Sequence, residues 1–142
     1  MTRLILTLIR CLIVLSLMLL KPVWAVEIIA NPDVPVSSVS QNALRAMFAM
    51  KLLQWSDGRP VRVFVLPDDN PLHRTFCKEK LDLYPYQLRQ TWDRLVYSGT
   101  GQAPTEVDSE AEMLSSVART PGALGYIRKS RLNDAVRILT VE

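Results

Sequence analysis

The sequence contains little cysteine and histidine. Its 142 residues include two cysteines, Cys11 and Cys77, and one histidine, His73. Cys11 lies in an apolar N-terminal stretch, and Arg10 precedes it where a lipoprotein processing site needs a small residue. If that stretch is removed on export, Cys77 has no partner for an intramolecular disulfide. We therefore expect a fold that is held together by its hydrophobic core.

The sequence also lacks the residue patterns of common catalytic and nucleotide sites. It has five glycines but no glycine-rich phosphate loop, because Gly99 and Gly101 follow a predicted helix and do not join a strand to one. His73 and Cys77 have the i, i+4 spacing of two metal ligands, but a partly exposed histidine beside a buried cysteine explains the same pair. As a base and a nucleophile they have no obvious orienting acid. We expect no enzyme activity, no metal and no cofactor.

An excess of positive charge occurs only near the N-terminus. The formal net charge is +3, from 17 basic and 14 acidic residues. Arg3, Arg10 and Lys21 account for the whole excess, so the charges after them balance. A nucleic-acid partner is therefore not expected.

The first 25 residues have the pattern of a secretory signal peptide. Arg3 and Arg10 precede an apolar stretch over residues 11–20, which is shorter than a membrane span, and Val23, Trp24 and Ala25 suit signal peptidase. Cleavage after Ala25 would leave 117 of the 142 residues, residues 26–142, as one periplasmic domain.

Strand and helix patterns alternate along this domain, which predicts a single three-layer α/β domain. Short apolar or β-branched runs predict strands at residues 27–30, 61–65, 123–127 and 136–141. Helices are expected after Ser40, after Asp69 or Asn70, after Pro85, and after Ser109, which forms a capping box with Glu112. In the helix after Pro85, Leu88, Trp92, Leu95 and Val96 form an inward-facing stripe. We expect a mixed or mainly parallel sheet with helices on both faces.

The start of the helix after the second strand is the best candidate for a ligand site. Free backbone amides at such a helix start favour an anion, and Arg74 could add a bidentate contact. The candidate ligand-binding residues are Asp69, Asn70, His73, Arg74 and Thr75. An equally good explanation is that Asp69 or Asn70 caps the helix and Arg74 is an ordinary surface residue.

Several motifs in order along the chain resemble those of a known protein family. Leu44, Met47, Phe48 and Lys51 lead to Trp55, Asp57 and Gly58; Arg74, Phe76, Trp92, Ser98 and Gly99 follow, and the tract Pro-Gly-Ala-Leu-Gly-Tyr-Ile occupies residues 121–127. Together they resemble the phosphate-binding proteins of ABC importers, and specifically short, single-lobe members of the periplasmic type II binding-protein superfamily. The resemblance implies that residues 26–142 fold as one lobe of such a receptor.

The resemblance also implies a phosphate site, but the ligand segments differ. Asn31, Pro32 and Asp33 replace the Gly-Ser turn after the first strand of the family. Of the second ligand segment only Asp69 matches, and Met50 stands where the family has a glycine.

Two kinds of function fit these observations. The chain could recognise phosphate or a related oxyanion for an ABC importer or a sensor. Alternatively, it is a ligand-free interaction module that docks on a membrane sensor, on an envelope complex or on a second copy of itself as a homodimer. Exposed apolar area near the cleft would favour the second function.

Overall fold

The computed structural model describes residues 1–18 and 25–142. Helix α1 spans Thr2–Met18, within the predicted signal peptide. Part of the predicted cleavage motif, residues 23–24, lies outside the described residues. Among the residues that the structure describes, no helix is both long and apolar enough to cross a membrane.

The remaining elements alternate as the sequence pattern predicts. The strands are β1 (Val26–Ala30), β2 (Ser38–Val39), β3 (Arg62–Val65), β4 (Thr105–Glu106), β5 (Ala123–Arg128) and β6 (Arg137–Val141). The helices are α2 (Gln41–Phe48), α3 (Pro71–Phe76), α4 (Pro85–Ser98) and α5 (Glu110–Arg119). A π-helical turn, Cys77–Leu81, continues α3, and a 3₁₀ turn, Lys129–Arg131, follows β5.

The six strands form one mixed sheet in the order β2-β6-β1-β5-β3-β4. β1 runs antiparallel to its neighbours β5 and β6, while the β2–β6, β3–β5 and β3–β4 pairs are parallel. Consecutive residues Ile28, Ile29 and Ala30 are all fully buried, although their side chains alternate between the two faces. Both faces of the central strand are therefore covered, which confirms the predicted three-layer α/β fold.

Two glycines of the 121–127 tract are required by close packing. A β-carbon on Gly125 would lie 2.6 Å from Met113 Sδ, so glycine allows α5 to pack directly on β5. Gly122 has a φ of 73°, and a β-carbon there would overlap the Pro60 carbonyl oxygen. Its own carbonyl accepts a 2.9 Å hydrogen bond from Trp55 Nε1, which joins the two motifs that carry the resemblance.

Met50 stands where the resemblance predicts a glycine, and its backbone conformation shows why a glycine would suit this position. Met50 has a φ of 61°, in the left-handed region that glycine tolerates best. The side chain is half-buried and packs against the core. Methionine therefore adopts here a backbone conformation in which a glycine would be less strained.

Three local expectations were wrong. Val96 is 50% exposed, so the inward-facing stripe of α4 does not extend to its end. His73 is fully buried, not partly exposed. Ser109 accepts from the Glu112 amide as expected, but Glu112 Oε2 accepts from the Asp108 amide, one residue before the expected donor.

Candidate functional site

The candidate site lies between the carboxyl end of β3 and the start of α3. Asn70 Oδ1 accepts a 2.8 Å hydrogen bond from the Leu72 amide and caps α3. Pro71 occupies the first helical turn and has no N–H to offer. The Arg74 amide donates to the Asn70 carbonyl. Most of the backbone donors expected for an anion are therefore missing or used within the chain.

His73 points away from the surface into a buried polar cluster. Its Nδ1 lies 2.5 Å from the Tyr126 hydroxyl, which accepts a 2.8 Å hydrogen bond from the Leu66 amide. Because the Asp68 carboxylate beside Nε2 can only accept, we assign the imidazole proton to Nε2, and the Tyr126 hydroxyl then donates to Nδ1. The Nε2 proton then faces Cys77 Sγ at 3.5 Å and Asp68 Oδ1 at 3.8 Å.

Burial keeps this cluster neutral. Desolvation lowers the pKa of His73 to about 4, although the Asp68 carboxylate opposes the shift. Burial raises the pKa of the Cys77 thiol to about 12, and burial also raises the pKa of Tyr126. A protonated thiol beside a neutral imidazole is a poor nucleophile, so the cluster stabilises the junction between β3 and α3 instead of presenting reactive groups.

An ion pair that the sequence analysis missed lies beside this cluster. Arg89 on α4 binds the Asp68 carboxylate through two hydrogen bonds, of 2.9 and 3.0 Å. Its guanidinium lies 3.7 Å from Glu106 Oε2 and stacks over the Trp92 ring at 5.1 Å. Arg89 thus joins the carboxyl ends of β3 and β4 to α4. The partners lie 21 residues apart, a separation at which no helical or strand spacing predicts contact.

The five predicted site residues divide into two groups. His73 is inside the protein, and Asn70 is the helix cap, although its side-chain amide nitrogen has no partner in the described part of the chain. The Thr75 hydroxyl donates to the Pro71 carbonyl at 3.1 Å. Asp69 and Arg74 are exposed, and neither side chain has a hydrogen bond or ion pair with another described residue. The surface therefore offers one guanidinium, one amide and one carboxylate.

Comparison with known proteins gives a consistent result. No family model matches the sequence. The phosphate-binding protein PstS of Bacillus subtilis is 29% identical over 111 residues, which cover 73% of this chain and 31% of PstS. The chain thus spans about a third of the length of this curated relative.

Solved structures with the same fold are also described as phosphate receptors. A putative phosphate ABC transporter substrate-binding protein from Clostridium perfringens, with bound phosphate, matches with a TM-score of 0.66 at 18% identity. An ABC-type phosphate transport receptor from Vibrio cholerae matches with a TM-score of 0.63 at 15% identity. The matches cover 82% of this chain and 44% and 46% of those chains, respectively. The predicted resemblance is therefore confirmed: the chain is similar in sequence and in fold to one part of the phosphate-binding proteins of ABC transporters.

Proposed function

We propose that this chain is an exported, non-enzymatic binding protein that recognises phosphate or a related oxyanion at the β3–α3 junction, for an ABC importer or a sensor. The observation that carries the proposal is the Arg74 guanidinium, which has no partner among the described residues and lies one turn into the helix after β3. The fold is shared with proteins described as phosphate receptors, and one of their structures contains phosphate. Asp69 would accept a hydrogen bond from a protonated anion, and the Asn70 amide would donate one.

The site should bind weakly. Two charge-assisted or amide hydrogen bonds contribute roughly 3–6 kcal/mol in total, which corresponds to a dissociation constant of about 1 mM. The amides that would strengthen binding are blocked by Asn70 and Pro71. A single exposed face also leaves the anion in contact with water, which screens its charge.

Calorimetric titration tests this proposal. The protein is purified from cells that express the full chain and is titrated with phosphate and with sulfate at low ionic strength. We expect weak, saturable phosphate binding that Arg74→Ala abolishes. Arg94→Ala is the matched control, because Arg94 is another exposed arginine without a partner among the described residues. No heat with either anion, or equal losses in the two variants, would contradict the proposal.

A second candidate function is favoured by the exposed apolar side chains on and next to α4. Tyr97 is 87% exposed and Val96 50%, while Tyr84 and Tyr86, near the other end of α4, are 53% and 60% exposed. Such side chains suit a protein interface. On this alternative the chain docks on a membrane sensor, an envelope complex or a second copy of itself. Sedimentation of the purified protein would detect self-association, which Tyr97→Ser should weaken.

A further inference from the structure

The sheet opens into a groove at the amino end of β3, away from the candidate anion site. β4 pairs only with the second half of β3, through Phe64↔Thr105 and Val65↔Glu106. Residues 100–104, which precede β4, and residues 59–64 line opposite sides of an open groove of about 760 Å³. β5 pairs with the other edge of β3 at Arg62 and Val63, whereas on the groove side no described strand pairs with Arg62.

The backbone of β3 is suited to pairing in this groove. The Arg62 amide donates to the Gly122 carbonyl, on the β5 side. Peptide groups in a strand alternate in direction, so the Val61 carbonyl and the Val63 amide face the groove. The Val63 carbonyl accepts from the Thr105 amide in the parallel β3–β4 pair and is not available. An extended segment lying there could pair opposite Arg62 as a short additional strand, donating to the Val61 carbonyl and accepting from the Val63 amide.

The side chains that line the groove are mostly apolar. They include Met50, Leu53, Pro60, Val61, Val63 and Phe64. Leu53 is 54% exposed, although it belongs to this apolar surface. An aliphatic side chain of a bound segment would bury this surface and gain roughly 1–2 kcal/mol.

Arg62 gives the groove one positive charge without a counter-ion among the described residues. In the part of the chain that the structure describes, the lining includes two arginines, Arg59 and Arg62, and no acidic residue. The Arg59 guanidinium is already paired with Asp33 and Asp57, at 2.9 and 2.7 Å. Arg62, in contrast, is exposed and its side chain has no hydrogen bond or ion pair among residues 1–18 and 25–142. The free charge therefore favours an occupant with a carboxylate.

We propose that this groove binds an extended segment of a partner protein that carries an acidic residue beside aliphatic ones. The segment pairs with the Val61 carbonyl and the Val63 amide, places an aliphatic side chain among the apolar residues and presents its carboxylate to Arg62. The groove would be a binding surface for the second candidate function, in which the chain docks on a partner protein. It does not depend on the anion site, which lies at the other end of β3.

Selection from displayed random peptides tests this proposal. The purified protein is used as bait, and the enriched peptides are synthesised and measured by fluorescence anisotropy. We expect enrichment of acidic-aliphatic sequences whose affinity falls at least about tenfold for Arg62→Glu, since like charges then face each other. The matched control, Arg94→Glu, should bind as the unmodified protein does. Arg74→Ala should also bind normally, which separates this result from a failure of the anion site.

A change in the peptide tests the strand pairing without altering the protein. Methylation of successive single backbone amides of a selected peptide should abolish binding at the positions that pair with β3 and leave the others unaffected. Lack of any enriched peptide, equal affinity for the Arg62→Glu variant, or tolerance of methylation at every position would overturn the proposal. Displacement of the peptide by free phosphate would also overturn it, because the groove would then be a small-anion site.

Discussion

Gly122 and Gly58 both have positive φ angles but differ in what surrounds them. Their φ values are 73° and 85°. Apart from Gly58 and its chain neighbours, no described atom lies within 4 Å of the β-carbon position there, whereas a β-carbon on Gly122 would overlap the Pro60 carbonyl oxygen. Substitutions at the two glycines therefore distinguish the energetic cost of a left-handed backbone from the energetic cost of a steric overlap.

We expect Gly122→Ala to be much more destabilising than Gly58→Ala. Gly58→Ala should lower the free energy of unfolding by about 1–2 kcal/mol, from backbone strain alone. Gly122→Ala should cost several kcal/mol, because Pro60 must also move and the Trp55 hydrogen bond to Gly122 would be disturbed. Urea denaturation of both variants gives the comparison. Equal losses of unfolding free energy in the two variants would show that Pro60 moves aside without an energetic cost.

Among the helices, α3 depends most directly on its cap. It has six helical residues before the π-helical turn, and Asn70 provides the side-chain acceptor at its start. Asn70→Ala should lower the free energy of unfolding by about 1 kcal/mol, while Asn70→Asp should retain nearly all of it because a carboxylate also accepts from the Leu72 amide. Urea midpoints of the two variants measure this difference. A similar loss in both would mean that the Asn70 amide nitrogen, and not the cap, stabilises the loop.

The elements that the sequence predicts best are those with local signals. Ser40, Asn70 and Ser109 are good N-cap residues, and in the structure each accepts a hydrogen bond from an amide of its helix. Strands β2 and β4 have two residues each, too few for any alternating pattern, and they form only because longer strands offer edges. Val96 follows helical spacing, but its side chain is exposed in the structure.

The sequence alone predicts only part of the candidate site, because the remaining contacts join residues that are far apart in the chain. The strand-to-helix junction and the exposed Arg74 follow from local sequence. The orientation of His73 follows from Tyr126, which is 53 residues away and also binds the Leu66 amide. The Arg89–Asp68 ion pair likewise requires the complete fold. Sequence reasoning therefore finds the junction but not the buried contacts that occupy it.

At the scale of the whole molecule, one buried group should dominate the response to mild acid. His73 is the only histidine, and the folded chain holds it neutral, with a pKa of about 4 instead of the ordinary 6.5. Well above pH 6.5 neither the folded nor the unfolded state protonates it, and its contribution is constant. As the pH falls from 6.5 towards 4, only the unfolded state takes up this proton, so stability falls. Below that range both states are protonated and the effect levels off.

We expect this linkage to lower the free energy of unfolding by up to about 3 kcal/mol between neutral pH and pH 4. The groups that face the imidazole are Tyr126, Cys77 and the Asp68 carboxylate, with Arg89 behind the carboxylate. Urea denaturation at a series of pH values measures the slope, and His73→Gln is the informative variant because glutamine does not titrate. The variant should be less stable at neutral pH, since it packs less well, but its stability should fall less steeply towards pH 4. Parallel profiles for the two proteins would show that His73 is protonated in the folded state or that other groups cause the acid sensitivity.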